Sequence, residues 1–499
     1  MSSSSSVPLN TLLQFIDDTC LKEEHDQHDL RKQPNTNTPS LLVLCIQVVA
    51  ASHAASKELL PPMPAWLHVL ILQQLADRGD DLDKLHLMRE LCNPSSLTSL
   101  CELEDYLLRH KLIFCFEWLN SQRLPIADGV ASSLTLLYEE ARYCKGGCAK
   151  KRQGLLDSLI AVTTLFHDLA WYGWAEKIAQ LAVKLHACMT EHAGTAAPAL
   201  AIPATTITEA GAAAAGTAAA PPLPLPALQP LQIQQRYLLV RSVGLLQMEQ
   251  RSFGRAAESF AACEVLAASY ISASAPTDGA AAARSPPPLG SGINMALLLS
   301  DRSELEFTKT NYKEAWQLSV DALQSGVDGL SPLQLVKILR RASTVAVVKR
   351  KTAAAKRLID AALSLSVSHQ LVGEYADLLE SYAHYLLNCD ETSMSTTLLK
   401  RALAIVDRTH GKNNLKRATV LESLAYSLYV ENYSAYEFDE ALEVMEECLA
   451  IRIRVLDKVH FQVCSAKRVK ALIIEENALK TLSGIPNEDL LDDALVRTV

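Results

Sequence analysis

Residue types able to do chemistry are present in this 499-residue chain, but their spacing does not assemble them. Thirteen histidines are scattered along it. Among the twelve cysteines the nearest thing to a metal pair is Cys144-Lys-Gly-Gly-Cys148, and no second Cys or His pair follows at finger spacing, so no metal site is expected. No Gly-rich phosphate loop, no H-E-x-x-H and no G-x-S-x-G occurs. The residues therefore point to a protein that is not an enzyme and takes no cofactor. The opening MSSSSSVPLN has no basic residue, and Asp17 and Asp18 sit where a secretory signal would be apolar. The cysteines accordingly read as reduced thiols of a cytosolic or nuclear protein. Cys45, Cys263, Cys389 and Cys448 lie in apolar helical patterns and read as small core residues.

Charge carries more information than nucleophiles do. A formal net charge of −9 argues against nucleic acid as a partner, since phosphate neutralisation needs a basic surface. Against that background, residues 337–357 hold Lys337, Arg340, Arg341, Lys349, Arg350, Lys351, Lys356 and Arg357 with no acid among them. Such a stripe attracts acidic partners, a tubulin tail or an acidic peptide, or else is a solvated ridge. Lys467-Arg468-Val469-Lys470 carries the same two readings.

The elements that would position these charges are helices. Hydrophobic residues make up 49% of the chain and aromatics 6%, with abundant Ala and Leu, a composition that favours helix over sheet. In NYKEAWQLSVDAL, Tyr312, Ala315, Ser319 and Ala322 line one helical face and leave small residues where a neighbouring helix must come close. The same frame fits Tyr172/Ala175, Phe253/Ala256 and Phe438/Ala441, with Gly244 nine residues before Phe253. Weaker copies follow at Thr352/Ala355 and Thr392/Ser395. These are second-helix positions of tetratricopeptide repeats, helix–turn–helix units of about 34 residues. The expected fold is an all-α tetratricopeptide-repeat α-solenoid, whose groove would hold a peptide or partner protein. Its expected divisions are a weakly ordered 1–39, a docking module at 40–75, helices with a first repeat at 76–192, a repeat at 231–274, repeats at 293–479, and a truncated repeat or tail at 480–499. Between them, 193–230 and 275–292 are Ala/Pro-rich and nearly uncharged, which predicts inserted linkers. PPLPLP at 221–226 suits a semi-rigid spacer.

Several stretches, among them ILRRASTVAVVKRKTAAAKRLIDAAL, LAYSLYVENYSAYEFDEALEVMEECLAI, CSAKRVKALIIEENAL and WYGWAEK, resemble the amyloid protein-binding protein 2 family. The resemblance implies a tetratricopeptide protein that serves as substrate receptor of a cullin-RING ubiquitin ligase, reading degrons near substrate C-termini. It also implies a microtubule-associated role in transport of the amyloid precursor protein. Residues 40–50, SLLVLCIQVVA, are too short to cross a bilayer, which needs roughly 20 apolar residues. Under the resemblance they match an Elongin C box through Ser40, Leu41, Cys45 and Val49, with the last three on one helical face. MPAWLHVLI supplies a cullin box through Met63, Pro64, Leu67 and Ile71, with Pro64 suited to a first helical turn. The implied partners are Elongin B/C, a cullin, and substrate C-termini. A transport adaptor carrying the cytoplasmic tail of the amyloid precursor protein along microtubules would need neither box, and a plain scaffold would carry degenerate ones. The family's repeats continue beyond Leu479, where this chain has only NEDLLDDALVRTV.

Overall fold

The computed structural model describes residues 46–47, 49–50, 59–60, 63–101, 106–143, 149–169, 171–192, 230–274, 293–325, 330–369, 371–409, 411–412, 414–433, 437–456, 458 and 460–483. Ser40, Leu41, Cys45, Cys144, Cys148, both Ala/Pro-rich stretches except Pro230, and 484–499 lie outside them. Every element among the described residues is helical, and none is long and apolar enough to cross a membrane. Two compact units lie within Leu41–Gln334 and Leu335–Val499.

The first unit opens with α1 (Ala65–Arg78), α2 (Asp81–Cys92), α3 (Pro94–Cys101), α4 (Tyr106–Ser121) and α5 (Ile126–Tyr143). The helix α1 buries Val69, Ile71, Leu72, Leu75 and Ala76, the stripe that a 3.6-residue period dictates. It ends at Gly79, whose φ of 73° lets its amide reach back to the Leu75 carbonyl. Three helical hairpins follow: α6 (Ala149–Asp168) with α7 (Tyr172–His192), α8 (Pro230–Glu249) with α9 (Phe253–Ser274), and α10 (Met295–Thr308) with α11 (Tyr312–Gln324). Helix α8 starts one residue inside the stretch expected as linker, because proline is tolerated at a helix start. Arg241 of α8 ties the hairpins together by pairing at 2.6 Å with Asp301 of α10, a fully buried carboxylate.

The second unit begins within α12 (Pro332–Val348) and contains α13 (Thr352–Ser368), α14 (Val372–Leu387), α15 (Thr392–Thr409), α16 (Leu415–Glu431), α17 (Asp439–Val455) and α18 (Phe461–Ser483). Val336, Ile359, Leu363, Tyr375, Leu399 and Phe438 belong to one apolar core within it. Two buried arginines bridge its helices. Arg417 of α16 meets Asp407 and Glu447, and Arg452 of α17 meets Glu422. Burying each large apolar side chain stabilises such a core by about 1.5–3 kcal/mol. Cys263 and Cys448 are core residues, whereas Cys389 is exposed, because it falls in the turn after α14 and not in a helix.

Candidate functional site

The first candidate surface is the start of α1. Pro64 is exposed at the N-cap position, one residue before the helix, and its carbonyl accepts from the Leu67 and His68 amides at 3.0 and 3.1 Å. Ile46, Gln47, Val49 and Ala50 are helical, and Ile46 and Ala50 share one core with Leu60 and Ile71. Val49, Met63 and Leu67 are half-buried against that core. The four cullin-box residues are thus unlike one another. Ile71 is 1% exposed and packs inward, while Pro64 faces solvent. Beside Pro64 stand Trp66 at 43% exposure and Leu59 at 41%, apolar residues that the box pattern does not include. Trp66 was legible only as a large residue off the apolar stripe.

One carboxylate holds this corner together. Glu90 of α2 is wholly buried, and its Oε1 accepts the Leu60 amide while Ser96 at the start of α3 donates to Oε2 at 3.3 Å. His68 Nε2 of α1 lies 3.4 Å from Oε2. Burial alone would raise the Glu90 carboxyl, but the His68 ring, the Leu60 amide and the His86 ring outweigh it and hold it below its ordinary value. The segment before α1, α1 itself and α3 therefore converge on one negative charge.

The basic stripe does not occupy one place. Lys337, Arg340 and Arg341 sit on α12, the latter two half-buried. Lys349, Arg350 and Lys351 form the turn to α13, and Lys356 and Arg357 lie early on α13; all five are exposed. Arg340 belongs electrostatically to a different group, centred on Lys416 of α16. Burial opposes that ammonium's charge, yet Asp377 and Glu374 outweigh both burial and Arg340 and raise it above its ordinary value. Lys416 Nζ lies 3.2 Å from Asp377 Oδ1. Along the same face Ser423 donates to Glu380 at 2.6 Å and lies 3.1 Å from His384 Nε2, with Tyr426 exposed beyond it. Cations, hydroxyls, an imidazole and a phenol are what a peptide backbone or terminus can bind. No group of three metal-ligating side chains occurs among the described residues.

The repeat positions are interior. Ala175, Ala256, Ala315, Ala355, Ser395 and Ala441 all have 0% exposure, at the points where second helices meet first helices. Tyr172, Phe253 and Tyr312 are half-buried first residues of α7, α9 and α11, and Phe438 is buried just before α17. Twelve residues before five of these small residues stands a second buried small one: Thr163, Gly244, Ser303, Ser343 and Ala383. A Cβ on Gly244 would lie 2.8 Å from Phe260 Cε1. Ser303 fills the equivalent place and donates to the Ala315 carbonyl at 2.8 Å. That second register is present in the sequence, but its residue types vary, and only Gly244 marks it by type.

Small-against-small hairpins repeated at this spacing define an all-α protein of tetratricopeptide-type repeats. No protein-family model matches the chain. It is 37% identical over 207 residues to "Amyloid protein-binding protein 2" of Rattus norvegicus, and equally so to that of Mus musculus. Over that stretch the chain is similar to amyloid protein-binding protein 2. The match takes in 41% of this chain and 35% of either relative, so the chain spans about a third of the length of the curated relatives it matches. Among solved structures, Rap protein complexed with competence and sporulation factor is similar with a TM-score of 0.41 and 12% identity, over 80% of this chain and 91% of that one. The apo quorum sensor NprR of B. thuringiensis gives 0.33 and 12%, over 76% and 97%.

Proposed function

We propose that the chain is a non-catalytic substrate receptor of a cullin-RING ubiquitin ligase, acting in the cytoplasm or nucleus. Its 40–75 segment meets Elongin B/C and a cullin, and its repeats hold substrate C-termini so that other subunits reach a lysine. The observation that carries this reading is the corner built at α1. There Ile46 and Ala50, neighbours of the Elongin-box Val49, share one core with the cullin-box Ile71, while Val49, Met63, Leu67 and Pro64 remain wholly or partly open to a partner. The face that sets Lys416, Ser423, His384 and Tyr426 beside Asp377, Glu374 and Glu380 offers both donors and carboxylates to the backbone and basic side chains of a peptide. Pull-down with purified Elongin B–Elongin C tests the reading. The parent chain binds and Leu41→Asp does not; if the parent is folded and captures nothing, the receptor reading is lost.

A second reading is favoured by the five exposed cations at the α12–α13 turn. They suit an acidic polypeptide, and the relatives' name points to binding of amyloid protein. On this reading the chain links a membrane protein's cytoplasmic tail, such as that of the amyloid precursor protein, to microtubules. Co-sedimentation with microtubules that weakens as salt rises supports it, and salt-insensitive or absent binding removes it.

A further inference from the structure

Two places in the basic segment set cations immediately before a hydroxyl: Arg340-Arg341-Ala342-Ser343 and Lys349-Arg350-Lys351-Thr352. Basophilic protein kinases select such stretches because carboxylates in their substrate clefts pair with the preceding Lys and Arg. By sequence the first is as good a candidate as the second. The fold separates them. Ser343 is fully buried on α12, and its hydroxyl donates to the Arg340 carbonyl at 2.6 Å. Thr352 is exposed as the first residue of α13, with exposed Lys349, Arg350 and Lys351 before it and exposed Lys356 and Arg357 after it. No side chain caps that helix.

We propose that Thr352 is a phosphorylation site for a basophilic Ser/Thr kinase, and that its phosphate cancels the basic turn as a surface for acidic partners. In the transfer, Thr352 Oγ1 attacks the γ-phosphorus of ATP. The bond from that phosphorus to the bridging oxygen breaks to release ADP, and the hydroxyl proton passes to the kinase's catalytic carboxylate. The product places a charge of about −1.5 to −2 among five cations. Lys356, four residues on, is on the same helical face and pairs with it. Ser343 is withheld from the same kinase by its burial within α12.

The test uses the folded 499-residue chain, ATP and the catalytic subunit of cyclic-AMP-dependent protein kinase, with phosphopeptide mapping by mass spectrometry. Phosphate is expected at Thr352, with none at Ser343, and Thr352→Ala removes the label mapped to that position. A synthetic peptide of residues 337–357, in which both hydroxyls are accessible, is labelled at Ser343 as well. Phosphate at Ser343 of the native chain, or none at Thr352, overturns the assignment. Binding of a fluorescein-labelled poly-glutamate peptide to the unmodified chain tests the acidic-partner surface on which the consequence rests, so the two fail separately. Phosphorylation is expected to weaken that binding roughly tenfold, the equivalent of one close charge contact. Unchanged affinity after stoichiometric labelling of Thr352 sinks the consequence.

Discussion

At the residue scale, Glu90 is the charge whose removal costs most for its size. It is wholly buried and receives Leu60, Ser96 and the His68 ring at once. Replacing it by Gln keeps the shape but removes the charge, and an expected loss of about 1–3 kcal/mol is readable as a lower urea midpoint. Its folded carboxyl titrates below the ordinary 4.5, so the stabilisation is complete above that value and fades as pH falls through the lower folded one. Parent and Glu90→Gln should therefore converge in acid; a gap that widens there contradicts the assignment. Glu117 of α4 behaves oppositely, because burial pushes its carboxyl up to about 8 from an ordinary 4.5. The folded chain holds that proton where the unfolded chain has lost it, so stability declines as pH rises across the interval. Glu117→Gln removes the decline, and melting curves at several pH values should show the variant gaining on the parent as pH rises.

Turns set the scale of elements. Arg251, Thr310, Arg350 and Asp390 each adopt a positive φ, 59°, 66°, 54° and 62°, two residues before a second helix begins. In every case the next residue's amide reaches back five positions to a carbonyl: Ser252 to Gln247, Asn311 to Glu306, Lys351 to Ala346, Glu391 to Leu386. This is the Schellman closure, which favours glycine. None of the four is glycine, so the left-handed conformation costs about 1–2 kcal/mol at each, least at Asp390 and most at the β-branched Thr310. Thr310→Gly should raise the melting temperature more than Arg350→Gly, and Asp390→Gly least; equal or negative shifts would show that the turn is not the constraint. Inside the hairpin the logic reverses. Gly244→Ala gains helix propensity of about 1 kcal/mol but drives a methyl into Phe260, for a net loss of about 1–2 kcal/mol by urea denaturation.

At the scale of the whole molecule, charge is divided by role: five exposed cations follow one another at the α12–α13 turn and early α13, while Arg417, Arg452 and Arg241 are committed to carboxylates within the packing. Polyanion binding should therefore depend on Lys349, Arg350, Lys351, Lys356 and Arg357. Reversing two of them, in Arg350→Glu with Lys356→Glu, should remove most poly-glutamate affinity at low salt while Lys337→Glu removes little. A uniform loss across all three positions would restore the single stripe that the sequence suggests.

Helical class and repeat frame were legible because both are periodic and local: Ala175, Ala256, Ala315, Ala355 and Ala441 announce close helix contact wherever a 3.6-residue period holds. The small partner register was legible too, but Thr163, Gly244, Ser303, Ser343 and Ala383 share only their size. Burial of particular side chains was not readable in advance. Ile71 and Trp66 sit five residues apart in one apolar helix, and only the helices packed on α1 decide that the first is core and the second faces solvent. The eight cations of 337–357 are continuous in the chain but divided by burial, since α12 turns Arg340 and Arg341 partly inward while those of the turn and early α13 stay exposed. Sequence alone carries the all-α repeat class and several hydroxyls set behind cations, Ser343 and Thr352 among them. Packing seals Ser343 inside and leaves Thr352 open, because access depends on which face of a helix its neighbours cover, and residue type alone does not say which face that is.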